Sequence, residues 1–196
     1  MGLLTFKGGI HPDDGKRFSK DQPIKALLPT GDLIYPLSQH IGAPAVLQKT
    51  KGDKVKIGTL LAAADGVVSA DVHSSVAGEI VKIEEMPGSS GYQELTVVIK
   101  TAPDEFETGI DTGSDIVKEI TASREEIISA IRKAGIVGMG GAGYPTPIKT
   151  ELPENKKADC LIVNAIECEP YLTADGALML EKAEQIIIGA KIINKA

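Results

Sequence analysis

The run Gly138-Met139-Gly140-Gly141-Ala142-Gly143-Tyr144-Pro145-Thr146-Pro147-Ile148-Lys149 constrains this chain more than any other stretch. Four glycines fall within the six residues Gly138–Gly143, so the main chain there takes angles other residues avoid and lets a ligand approach closely. Successive N–H groups in such a loop converge into an anion cradle. Thr146 is placed to cap a short helix and Pro147 to begin it, which aims a positive helix end at the loop. Lys149 adds a cation suited to a phosphate. By residue chemistry the run reads as a phosphate-binding loop, with a glycine-rich connector serving tight packing as the alternative.

The flanks remove two familiar versions of such a loop. Gly138, Gly140 and Gly143 satisfy the spacing G-x-G-x-x-G, but a dinucleotide fingerprint follows a strand and opens a long helix. Here the loop follows a helix that ends at Ala134, and the helix after it is short and bounded by proline. No Gly-Lys-Ser/Thr is present, so the nucleotide-triphosphate loop pattern fails as well.

Composition narrows the class. The chain has 196 residues, 42% hydrophobic and 24% charged, as in a soluble globular protein of one or two domains. A net charge of −6 argues against a nucleic-acid partner. Aromatic residues make up 4% and Trp is absent, so base-stacking platforms are not expected. No run of eighteen apolar residues is present to span a membrane, and Met1–Lys7 is too short for a signal peptide. Two cysteines, Cys160 and Cys168, make no disulfide framework and point to a reducing cytoplasm. They are also too few to ligate an iron–sulfur cluster by themselves.

In chain order, residues 1–32 carry turn signals without a period (Gly8-Gly9, His11-Pro12-Asp13-Asp14-Gly15, Pro23, Pro29, Gly31) and read as an extended arm. Residues 33–102 read as all-β, with β-branched runs at Val55–Ile57, Gly66–Val68, Glu79–Ile83 and Leu95–Ile99. Residues 103–122 hold Pro103, Gly109, Gly113 and six acidic residues, and read as a linker. Residues 123–134 predict an amphipathic helix, with Ser123 and Glu126 as a capping box, Ile127, Ile128 and Ile131 on one face, and Gly135 as the terminating glycine.

After the loop, Leu152–Lys157 reads as a turn. Cys160-Leu161-Ile162-Val163 is a continuous apolar run, consistent with a buried parallel strand, which makes Cys160 a buried thiol. Asn164, Glu167 and Glu169 then lie at the carboxyl end of that strand, where open α/β sheets place ligands. Cys168, between two carboxylates, is unsuited to nucleophilic work and reads as pocket lining. Two helices follow, the second around Glu184–Lys195. Residues 123–196 thus read as the N-terminal part of an α/β domain that lacks its partner strands, so the chain is expected to be a piece of a longer protein. His11, His40 and His73 show no metal-ligand spacing; turn or packing roles are expected, with a partner contact open at His40. Glu167 and Glu169 remain readable as solvated loop acids.

Two resemblances enter on these residues. Gly52-Asp53-Lys54-Val55-Lys56-Ile57-Gly58, the turn Asp65-Gly66, and Val72–Val81 resemble the barrel-sandwich hybrid of lipoyl and biotinyl carriers. The turn holds no lysine, so the fold is implied without the covalent carrier role. Gly138-x-Gly140-Gly141-Ala142-Gly143-Tyr144-Pro145-Thr146-x-x-Lys149 with Asn164-x-x-Glu167-x-Glu169-Pro170 resembles the flavin site of the 51 kDa NADH-oxidising subunit of respiratory complex I. Phe6–Pro12, Pro36–Pro44, Gly52-Asp53-x-Val55 and Asn164–Thr173 extend the resemblance to the C subunit of the bacterial Rnf electron-transport complex. A flavin and iron–sulfur cobalamin reductase shares the same parts.

The Rnf resemblance implies an electron-input subunit that passes electrons between NAD(H), FMN and 4Fe-4S clusters. It sits peripherally on the cytoplasmic face of the bacterial inner membrane with the other subunits of its complex. Gly138, Gly140, Gly141, Ala142 and Gly143 would wrap the FMN, Lys149 would bind it by charge, and Asn164 would hydrogen-bond it. Glu167, Cys168 and Glu169 would line the pocket. One departure stands out: complex I subunits carry an acidic residue where this chain has Ile166. The clusters would lie beyond residue 196, and this piece alone is expected to be inactive and to hold FMN weakly. A different class remains beside this one, a docking module whose barrel binds partner subunits and whose glycine loop is structural.

Overall fold

The structure is a computed structural model that describes residues 10, 12–88, 91–151, 155 and 157–196. The Phe6–Gly9 and His11 positions of the arm, and Leu152–Glu154 and Lys156 of the expected turn, lie outside the described residues. The chain packs as two units, Leu27–Ala158 with Ile192–Ala196, and Met1–Ala26 with Asp159–Lys191.

The larger unit is built on seven short strands: β1 (Asp32–Pro36), β2 (Val46–Leu47), β3 (Lys54–Val55), β4 (Leu60–Ala63), β5 (Val72–His73), β6 (Gly78–Pro87) and β7 (Gln93–Thr101). They form two antiparallel sheets, in the orders β1-β7-β6-β3 and β2-β4-β5. This is the expected barrel-sandwich hybrid. Register follows burial: Tyr35 pairs with Val97 and Ile80 with Ile99, so the apolar faces meet in one layer. Tyr35, Leu37, Leu61, Val72, Ile80, Val97 and Ile99 belong to that core. The expected strand at Gly66–Val68 is a turn instead. Val67 there is 68% exposed, and the tight return from β4 to β5 is held by Asp71 Oδ1 accepting the Ala64 N–H at 2.8 Å and Ser69 Oγ accepting the Asp65 N–H at 3.0 Å.

The acidic linker is stitched to the barrel at its start. Ile57 bridges Phe106, and Lys56 pairs with Glu105 at 2.5 Å. The Glu105 carboxylate holds the Lys56 ammonium above the ordinary lysine range. Helix α1 (Arg124–Lys133) follows with the capping box its sequence predicts: Glu126 N–H donates to Ser123 Oγ at 3.2 Å, and Ser123 N–H to Glu126 Oε2 at 2.7 Å. That backbone bond, with the Ser123 hydroxyl, holds the Glu126 carboxyl below its ordinary range. The carboxylate's share of the cap is therefore present above the ordinary glutamate range and is lost as pH falls through the lowered value. Ile127 and Ile131 are buried.

The helix closes in a double hydrogen-bonded turn, Ile136 N–H to Ile131 O at 3.2 Å and Gly135 N–H to Arg132 O at 3.0 Å. Gly135 has φ +64°, and a Cβ there would lie 2.2 Å from the Asp71 carbonyl oxygen. Only glycine meets both demands, so this residue ends α1 and seats it on the barrel in one step. The smaller unit holds a 3-10 turn at Lys16–Phe18 and helix α3 (Ala174–Glu181). Helix α4 (Ala183–Lys195) belongs to it through Lys191.

Two substitutions test this frame by urea denaturation. Gly135→Ala is expected to lose about 2–4 kcal/mol, from left-handed strain plus the clash with Asp71. Ser123→Ala is expected to lose about 1 kcal/mol, the usual worth of an N-cap.

Candidate functional site

The glycine loop is a closed hairpin rather than a loose connector. Val137 bridges Pro145, Gly138 N–H donates to Tyr144 O at 2.8 Å, and Thr146 N–H donates to Ile136 O at 3.0 Å. The shoulder is fixed too. Gly143 has φ +59°, its carbonyl accepts the Ile41 N–H at 3.3 Å, and a Cβ there would lie 2.9 Å from Gln39 O. The tip stands in solvent, with Met139 97% exposed.

Helix α2 (Thr146–Thr150) begins one residue earlier than its sequence predicts. Pro145 occupies the cap position, Pro147 lies inside the first turn, and no side chain caps the helix. Thr146 N–H is already taken by Ile136 O in the hairpin base, which draws the threonine into the turn. A helix of five residues contributes little field of its own, so any charge for an anion comes from Lys149. That side chain folds back over the loop base: its Nζ lies 2.6 Å from where a Cβ on Gly138 would be. Gly140 and Gly141 have nothing within 4 Å of their Cβ positions. The loop thus presents a bare backbone at its exposed tip, with the Lys149 ammonium at its base beside Gly138.

A cleft of about 570 Å³ lies between the loop and the barrel. Gly138, Met139, Gly141 and Gly143 line it from the loop, and Tyr35, His40, Asp71 and His73 from the barrel. His40 is 8% exposed. Its Nε2 accepts the Ala70 N–H at 3.2 Å, which assigns the Nδ1 proton to the bond with Ile41 O at 3.2 Å. Both ring nitrogens are therefore engaged within the larger unit. Tyr35 Oη lies 2.8 Å from Ser75 Oγ and accepts the Ser75 N–H at 3.2 Å. These barrel residues escaped sequence reasoning because no local pattern marks a side chain that faces a loop a hundred residues away.

Asn164, Glu167, Cys168 and Glu169 belong to the other unit. The expected buried strand at Cys160–Val163 does not form: the stretch is irregular, Ile162 is 83% exposed, and Cys160 is exposed. A parallel strand needs neighbours, and the described residues of this unit contain no strand to pair with it. Asn164 Oδ1 accepts the Ile166 N–H at 3.1 Å, turning the chain. Glu167 Oε1 accepts the N–H groups of Asp175 at 2.8 Å and Gly176 at 3.1 Å. It caps α3, whose Thr173 makes no side-chain cap. Cys168 and Glu169 are exposed.

Residues 4–104 match the RnfC barrel sandwich hybrid domain, and residues 131–196 match the Nuo51 FMN-binding domain. A barrel-sandwich hybrid followed by the first part of an FMN-binding domain defines the class. The chain belongs to the RnfC family, the C subunits of ion-translocating oxidoreductase complexes. It is 43% identical to the C subunit of the proton-translocating ferredoxin:NAD(+) oxidoreductase complex of Clostridium ljungdahlii, covering 98% of this chain and 42% of that protein. It is 40% identical to the C subunit of the Na(+)-translocating counterpart from Acetobacterium woodii, covering 98% and 43%. The C subunit of the ion-translocating oxidoreductase complex of Haemophilus influenzae (strain PittEE) is 38% identical, with 98% and 29% covered. The chain thus spans about two fifths of the length of the first two relatives. No helix among the described residues is long and apolar enough to cross a membrane.

The cap on α3 gives a direct test. Glu167→Ala is expected to speed hydrogen exchange at the Asp175 and Gly176 amides about fivefold, the equivalent of one lost cap. Glu169→Ala is expected to leave those amides unchanged.

Proposed function

We propose that the glycine loop with Lys149 is a flavin-binding element, and that the native protein is the electron-input subunit of an Rnf-type complex. One observation carries the reading: the loop whose main chain is open at Gly140 and Gly141 holds the Lys149 ammonium at its base, against Gly138. Main-chain N–H groups and a lysine are the donor set that an FMN phosphate takes. Family membership supports the choice of FMN over other phosphates.

A bound flavin exchanges an electron pair as hydride with a nicotinamide and exchanges electrons singly with iron–sulfur clusters. The chain's own residues bind and orient. Gly138, Gly140, Gly141, Ala142 and Gly143 bring the main chain against the cofactor, and Lys149 neutralises its phosphate. The family pattern extends flavin contacts to Asn164, Glu167, Cys168 and Glu169. Glu167 would then act through its backbone or its second carboxylate oxygen, since Oε1 is committed to α3. The electron partners are NAD(H), as in the names of the ferredoxin:NAD(+) relatives, and 4Fe-4S clusters. Two cysteines cannot ligate such a cluster, so the clusters are assigned outside residues 1–196. The other subunits of the complex hold the protein at the cytoplasmic face of the membrane.

FMN titration of the native-length protein, followed by flavin fluorescence, tests this reading. Lys149→Ala is expected to weaken binding on the order of tenfold through a lost charge-assisted bond. Gly141→Asp is expected to weaken it further, because a carboxylate would enter the cradle, while the thermal midpoint confirms that each variant is folded. Equal affinity in all three proteins would overturn the reading.

A further inference from the structure

Much of the arm read from sequence as extended, residues 13–24, is tied to one stretch of the chain. Residues Asp14–Ile24 lie on the stretch Glu169–Glu181, with 153 positions separating Lys16 from Glu169. Lys16 Nζ donates to Leu172 O at 2.6 Å and to Glu169 O at 3.3 Å. Tyr171 N–H donates to Asp14 O at 2.5 Å, and Ser19 Oγ donates to Tyr171 O at 3.4 Å. Thr173 Oγ1 donates to Ser19 Oγ at 3.0 Å, and Ile24 N–H to Glu181 Oε1 at 2.9 Å. The Tyr171 ring lies against Gly15, where a Cβ would come within 2.4 Å of its Cε1. It also stacks on Phe18, with centroids 6.3 Å apart and planes 11° from parallel. Arg17 covers the Phe18 ring at 4.5 Å and is itself held by Asp13 at 2.7 Å.

These contacts converge on an unfavourable backbone. Tyr171 has φ +67°, the one positive value among the described non-glycine residues. Such a conformation persists only where its surroundings over-determine it. Here the Glu169 and Leu172 carbonyls, on either side of the Pro170-Tyr171 pair, are held by one ammonium, and the Tyr171 N–H and ring are held by the same arm. The turn so fixed directly follows Asn164–Glu169 and leads into the α3 start that Glu167 caps.

We infer that residues 13–24 form a strap, with Lys16 its positioning residue, that sets the conformation of the Asn164–Thr173 segment and thereby its contacts with flavin. The inference rests on the flavin reading given above. Lys16 acts by holding two carbonyls at the separation the Tyr171 turn requires. Methionine matches the length of the stem without the charge, whereas arginine keeps a donor fork able to reach both oxygens.

The experiment compares wild type, Lys16→Met and Lys16→Arg in the native-length protein by hydrogen exchange and FMN titration. Lys16→Met is expected to speed exchange at Tyr171 and the α3 start while leaving the Ile80 and Ile99 amides unchanged. It is also expected to weaken FMN binding about three- to tenfold, with Lys16→Arg close to wild type in both. Unchanged exchange in Lys16→Met would overturn the strap. Faster exchange with unchanged FMN affinity would overturn the positioning role and leave a purely structural tie. A wild type that binds no FMN would refute the flavin reading, and the positioning role with it, while exchange still decides the tie.

Discussion

Gly135 pressed against the main chain at Asp71 is the contact on which the larger unit depends. It terminates α1, turns the chain, and brings helix and barrel to a separation that no side chain allows. The glycine hairpin begins three residues later, so its root inherits its place from that contact. Gly143 repeats the device on the far side, against Gln39 and His40. Between two backbone-to-backbone seats the loop has little freedom at its base, while its tip at Met139–Ala142 remains exposed. A loop held in this way would meet the ligand proposed for it with little further ordering, which lowers the cost that binding must overcome.

What could be read from the sequence was what local rules govern. The capping box at Ser123 and Glu126, the closing glycine at 135 and the α3–α4 pair each depend on neighbours within a few positions, and each formed as expected. The barrel followed from β-branched runs and from the Gly-Asp-x-Val resemblance. The misreadings have separate physical causes. Gly66–Val68 has strand chemistry, but the bonds that Ser69 and Asp71 make across it hold a turn. Cys160–Val163 has the composition of a buried strand, yet composition supplies no neighbour to pair with. The arm looked unstructured because the hydrogen bonds that anchor it go to residues more than 150 positions away.

The site divides in the same way. The glycines and Lys149 stand out in the sequence because the motif is compact, and the structure places the Lys149 ammonium at the loop base. The barrel wall of the cleft carries no local pattern at Tyr35, and nothing in the sequence brings His40 and His73 together beside the loop. Glu167 shows how a residue singled out for cofactor chemistry also carries a structural load: it supplies the acceptor that α3 lacks at its own cap position. A substitution there disturbs the α3 cap, so a loss of flavin binding in a Glu167 variant would not by itself identify a direct contact.

The central claim is that the Gly138–Gly143 main chain and Lys149 receive the flavin phosphate. A high-resolution structure of the native-length protein with FMN bound tests it most directly. The account predicts the phosphate within hydrogen-bonding distance of loop N–H groups and of Lys149 Nζ, with the flank at Gly140 and Gly141 covered. An FMN seated elsewhere, with that flank still open to solvent and Lys149 still folded over Gly138, would contradict it.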